Sequence, residues 1–162
     1  MRLPDPRIIV VALLVLAAAV YVIYAIEATP GSVYLPNPPT RFTVNGRSFV
    51  ITYIATDERA REAGLMNRRV TNTTTMLFAF PTPGQHGFWM KDVNSSLDII
   101  WLDVNGSTGR VVYVVPSVPP CVSPINDCPV YENTTPSNWM IEAKGGFSEE
   151  NGIEVGSVIL FG

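Results

Sequence analysis

"GFWMKDVNSSLDIIWLDVNG", residues 87–106, decides the fold. Leu97–Val104 reads as a strand, rich in branched and aromatic side chains and free of glycine and proline. In an extended chain Asp98 shares a face with Ile100 and Leu102, while Leu97, Ile99 and Trp101 point the other way. Both faces are apolar, so Asp98 is expected in low-dielectric surroundings. Phe88–Lys91 is a second strand-like run, and the polar loop Asp92–Ser96 suggests that the two runs form an antiparallel hairpin with Lys91 beside Asp98. A buried carboxylate is costly unless it is paired or hydrogen-bonded. The structural reading therefore gives Asp98 an ion pair with Lys91 or bonds to loop amides. The functional reading makes Arg68, Trp89, Lys91 and Asp98 members of a ligand pocket, because charged groups beside aromatic rings suit binding or acid–base work.

Outward from this stretch, "RFTVNGRSFVITYIAT" alternates polar and apolar residues around Asn45-Gly46, a strong hairpin signal. "TDERAREAGLM" offers Thr56 or Asp57 as N-cap and predicts a short helix from Asp57 to about Leu65. "TTMLFAF" predicts a strand stopped at Pro81-Thr82-Pro83-Gly84, and "GRVVYVVP" another after an Asn105–Gly109 turn. "NWMIEA" and "GSVILFG" predict closing strands, with a turn of helix near Phe147–Glu150. The expected class is α+β: a β-rich, curled or barrel-like, mostly antiparallel sheet with one short helix.

A single transmembrane helix is expected in front of it. The uncharged run Ile8–Ile26, bounded by Arg7 and Glu27, would span about 28 Å as a helix, close to the thickness of a bilayer's hydrocarbon. Arg2 and Arg7 precede it and no basic residue follows until Arg41. The positive-inside rule then puts residues 1–7 in the cytoplasm and the remainder outside the cell membrane. A cleaved signal peptide competes with this reading, but the run is long and the exit Tyr24-Ala25-Ile26-Glu27-Ala28 is a poor cleavage site. Residues 27–40, including "ATPGSVYLPNPPT", read as a proline-rich stalk, and 41–162 as the extracytoplasmic domain.

Other features agree with an outside location. Asn-x-Ser/Thr sequons at Asn72, Asn94, Asn105 and Asn133 each fall in an expected turn or loop and are candidate glycosylation sites. Cys121 and Cys128 are the only cysteines. Their spacing matches no redox or zinc motif, and a structural disulfide suits an oxidising compartment better than a metal site does. The net charge of −3 lacks the basic footprint of a nucleic-acid partner.

The blocks "ERAREAGLMNRR", "TMLFAF", "FWMKDVNSSLDIIWLD", "GRVVYV" and "IEAKGGFSEENGIEVGSVI" occur in one order. Together they resemble a widespread prokaryotic family, the domain of unknown function one-nine-two, here in a membrane-anchored form of archaeal type. The resemblance spans nearly all of 41–162. It implies a small α+β domain, often exported or membrane-anchored, with no established biochemical activity. Thr75 stands where the family usually has glycine, Asp92-Val93 where it has Asn-Thr, and Ser96 where it has proline. A site built on that loop is thereby altered.

Three function classes remain. The leading one is a noncatalytic binding or interaction domain without a cofactor, attached to the membrane through Ile8–Ile26 and to other membrane or cell-surface proteins. The second is an envelope-associated enzyme using a Lys91/Asp98 pocket with Arg68. The third is a copper-handling domain, in which His86, expected exposed in a loop, joins Met66, Met76, Met90 and Met140 as soft ligands. Methionines at apolar positions are more often core. No serine lies in a Gly-x-Ser-x-Gly turn, and no glycine loop suited to phosphate is present.

Overall fold

The structure, a computed structural model, describes residues 6–27, 31–121 and 127–162. After helix α1 (Pro6–Glu27) come β1 (Arg41–Val44), β2 (Arg47–Val50), β3 (Tyr53–Ala55), α2 (Glu58–Ala63) and β4 (Thr75–Gly84). They are followed by β5 (Gly87–Phe88), β6 (Leu97–Asn105), β7 (Thr108–Val118), β8 (Tyr131–Glu132), β9 (Ser137–Lys144), α3 (Phe147–Glu150) and β10 (Val158–Phe161). Eight strands form one sheet in the order β2-β1-β10-β7-β6-β9-β4-β3, and β5 and β8 form a small second sheet. The main sheet is antiparallel except for β3 beside β4.

Chain connectivity explains why this sheet curls into a half-barrel. Its edge strands, β2 and β3, are separated in sequence only by Ile51 and Thr52. Three Cα steps cover at most about 11 Å, far less than the width of eight strands spaced about 4.8 Å apart. The seam is tied by Thr75 Oγ1 donating to the Val50 carbonyl at 2.6 Å and Thr52 N donating to the Thr75 carbonyl at 3.0 Å. Thr75 thus has a structural use.

The face assignment along β6 holds. Ile100 and Leu102 enter a core with Phe42, Leu77, Ile141 and Phe147, whereas Leu97, Ile99 and Trp101 enter a second with Phe78, Phe88, Met90 and Met140. The sheet is a wall between two cores, so its central strand reads as a continuous apolar run. Asn45 and Gly46 both take positive φ, 50° and 76°, in the expected hairpin turn of β1 and β2. Asp57 caps α2, accepting from Ala60 N at 2.8 Å, and the helix ends at Gly64 (φ 45°).

Two expectations about strands are corrected. β6 pairs with β7 and β9, so it has no free edge for Phe88–Lys91. That run yields only β5, paired with β8, and the chain then turns at Asp92 (φ 55°) to bury Met90 and Val93. The Lys91/Asp98 hairpin does not form. β4 also continues past Pro81 to Gly84, with its register against β9 shifting between Ala79 and Gly84. Proline cannot donate to a ladder, and the irregularity absorbs it.

Cys121 and Cys128 form the expected disulfide. The double variant Cys121→Ser/Cys128→Ser should lose about 2.5 kcal/mol by the chain-entropy argument and melt lower. Thiol titration of the intact protein should find none until it is reduced, and two free thiols in the native protein would refute the pairing.

Within α1, side chains are described for residues 10–21, and among the described residues no helix is long and apolar enough to cross a membrane. The expected cytoplasmic tail lies outside the described residues over 1–5, and so do residues 28–30 of the expected stalk. The described remainder of the stalk lies against the domain. Val33 N donates to Thr56 O at 2.7 Å, Pro39 is buried, and Thr40 N donates to Gly162 O at 2.9 Å.

Candidate functional site

The four residues expected to form a pocket do not converge. Asp98 is fully buried, and its carboxylate accepts from the amides of Ser117 (2.7 Å), Gly146 (3.0 Å) and Ser148 (2.6 Å). This is the amide version of the structural reading. Lys91, half-exposed, holds its Nζ 5.4 Å from the Trp89 ring. Arg68 is exposed, with its guanidinium 4.1 Å from the Tyr53 ring and Nε donating to Gly64 O at 3.3 Å. Arg68 and Lys91 belong to neighbouring loops, because Asn67 N donates to Asp92 O at 2.8 Å. Both residues of that bond have positive φ, 57° and 55°, a conformation Asn and Asp adopt more readily than most.

Trp89 lines a cleft of about 410 Å³ whose other walls are Glu58, Arg61, Glu62, Phe80, Gly87 and Phe88. α2 supplies the charged wall, because positions 58, 61 and 62 fall on one helical face. β4 and β5 supply the aromatic wall. Arg61 is fixed in place: it donates to Ala79 O at 2.9 Å and to Gly31 O, and its guanidinium stands 5.5 Å from the Phe80 ring. Desolvation lowers its pKa from the ordinary value, opposed by the fields of Asp57 and Glu58. Sequence reasoning passed over Glu58, Arg61, Glu62 and Phe80. The one available signal for Glu58, Arg61 and Glu62 was their i, i+3, i+4 spacing on the helix.

His86 stacks on Phe80 at 3.6 Å between centroids, its Nε2 lies 3.0 Å from Ser137 O, and its amide donates to Asn133 Oδ1 at 2.6 Å. It is half-buried, which corrects the expected exposure, and desolvation lowers its pKa from the ordinary value. Met76, Met90 and Met140 are spent as core side chains at 3%, 1% and 0% exposure. Among the described residues no group of three or more His, Cys, Asp or Glu could hold a metal ion.

Glu142 was also missed. It lies mid-strand in β9, opposite Met76 and Ile99, only 4% exposed, with Oε2 unpartnered. Burial without compensation raises its pKa to about 8, so the carboxyl stays largely protonated at neutral pH.

The sequons differ in accessibility. Asn72, Asn94 and Asn105 are exposed. Asn133 is 1% exposed, and its Nδ2 donates to Gly84 O at 3.0 Å, Ser137 Oγ at 3.2 Å and Thr135 O. A glycan on that nitrogen would replace one of its two hydrogens and disrupt this network at a nearly inaccessible position.

A curled, mostly antiparallel sheet with a few short helices is the architecture of a small β-rich α+β domain. The chain belongs to the DUF192 family, described as an uncharacterized ACR, whose model matches residues 40–161. No curated protein matches the chain. Two crystal structures share the fold, each with a TM-score of 0.62 and 23% identity. One is a Sinorhizobium meliloti 1021 protein provisionally described as a transcription regulator, with 75% of this chain and 90% of that chain covered. The other is a Novosphingobium aromaticivorans DSM 12444 protein of unknown function, with 83% and 95% covered.

Proposed function

We propose that the protein is a membrane-anchored, extracytoplasmic binding domain that holds a ligand or partner in the α2 cleft without transforming it. The observation that carries this reading is the cleft itself. It brings aromatic rings together with charged side chains, and no serine, cysteine, histidine or lysine stands among its walls. Support for the location comes from the basic residues ahead of Ile8–Ile26, the three accessible sequons and the disulfide. Other membrane or cell-surface proteins are the partners this placement favours.

The test has two parts. Protease added to intact cells should remove the domain, and protection until lysis would reject the topology. Trp89→Ala should weaken crosslinking from a photoreactive residue at exposed position 59 of α2 to its cellular target while leaving the melting temperature within a few degrees. Unchanged crosslinking would remove the cleft from the binding role.

A further inference from the structure

We infer that the α2 cleft opens at the membrane surface and takes a cationic side chain, lysine or arginine, of a membrane-embedded protein partner. This rests on the proposal that α1 is the membrane anchor.

The position follows from the chain itself. α1 ends at Glu27, and four residues later the carbonyl of Gly31 is held by Arg61 on the cleft wall. Four extended residues cover at most about 14 Å. The headgroup region outside each face of the hydrocarbon is itself about 5–8 Å deep. Val33 N bonded to Thr56 O, just ahead of the Asp57 cap, fastens the same end of α2 to the segment. An anchored domain therefore cannot carry this cleft far from the bilayer.

The ligand chemistry follows from what the cleft leaves unused. Its one cation, Arg61, is already shared between two carbonyls and the Phe80 ring. Glu58 and Glu62 are exposed one helical turn apart, and neither makes a hydrogen bond or close ion pair among the described residues. Glu58 acts on Arg61 only through its field. The same cleft is lined by the half-buried Trp89, whose ring accommodates the Lys91 ammonium 5.4 Å away. Carboxylates and an aromatic ring sharing one cleft suit a cation with an apolar stem. A volume of about 410 Å³ admits one or two side chains rather than a folded domain. Negative charge beside anionic headgroups also disfavours the lipid itself as occupant.

The experiment uses the full chain in phosphatidylglycerol vesicles. The probe is a dansylated polyleucine transmembrane peptide with one arginine at its outer end, and binding is read by energy transfer from tryptophan. Association should be saturable and about tenfold tighter than for the same peptide with glutamine there. It should fall to the glutamine level in Glu58→Gln/Glu62→Gln, while Glu149→Gln, at an exposed position on α3, keeps it; equal melting temperatures establish that both variants are folded. Equal binding of both peptides overturns the inference. So does equally tight binding of water-soluble acetyl-Gly-Arg-Gly-amide, which would identify a soluble source for the cation. Vesicle flotation reports the anchor separately: a chain that does not float rejects the anchor and this inference together, whereas one that floats without preferring arginine rejects only the inference.

Discussion

Replacing Asp98 by alanine is expected to cost about 3–5 kcal/mol of stability, because three amides, that of Ser148 buried, lose their acceptor together. The carboxylate works at two irregular places. Opposite it the β6–β7 register shifts between Leu97 and Ile99, and Ser117 there adopts φ 51° while donating to Asp98. On the other side the N-cap of α3 is Gly146, which has no side chain to cap it; Asp98 accepts from Gly146 and Ser148 instead. One side chain on β6 therefore serves as both a bulge pin and a helix cap. Asp98→Asn keeps one acceptor and should fall between alanine and wild type. Lys91→Met should change stability by less than about 0.5 kcal/mol, and the double variant should be additive, as for residues that share no bond. Thermal melts of the singles and the double are the measurement. Recovery of stability in the double variant would reinstate Lys91 as the partner, and a parent-like melt for Asp98→Ala would remove the structural role altogether.

The second large effect is in pH. Glu142 has a folded pKa of about 8 against 4.5 for the free group. Over that window the folded protein keeps a proton that the unfolded chain releases, so raising the pH favours unfolding. Its contribution is fully present below pH 4.5, declines by about 1.4 kcal/mol per pH unit and is lost as the pH passes through 8. The whole swing is on the order of 4–5 kcal/mol. Glu142→Gln cannot ionise, so its stability curve should lack this slope. The variant should gain on wild type steadily from pH 5 to about pH 8 and level off above it, as read by denaturant midpoints. Parallel curves across that range would show that Glu142 does not carry the effect.

What was legible in the sequence was local. Asn45-Gly46 specifies its own turn, Asp57 stands at the required distance from the amide it caps, and alternation along Leu97–Trp101 assigns side chains to two faces before any partner strand is known. Asp98 was legible as a buried carboxylate in need of partners, but not which ones, since Ser117 and Ser148 approach from 19 and 50 residues away. The failed hairpin has the same cause. A polar loop between two apolar runs fits a hairpin equally well whether or not β7 and β9 have already taken both edges of β6. The cleft was only half visible, because Trp89 stands out in a sequence whereas Glu58, Arg61 and Glu62 resemble an ordinary solvated helix face. Glu142 gave no signal beyond being an acid flanked by Ile141 and Ala143.

The way residues 31–40 lie against the domain has a mechanical consequence. Tension applied at α1 would meet the Gly31–Arg61 contact first, then Val33–Thr56, and only afterwards the bonds of Thr40 and Arg41 to Gly162 at the start of β1. These attachments are few and arranged in series, so they yield one at a time, whereas β1 behind them is laddered on both sides by β2 and β10. Ten freed residues hold a contour of about 30 Å, which acts as slack spent before the sheet bears any load. The first attachment to yield is the one to Arg61, whose bond to the Ala79 carbonyl remains. A modest pull would therefore free one side of the guanidinium while the fold stays intact.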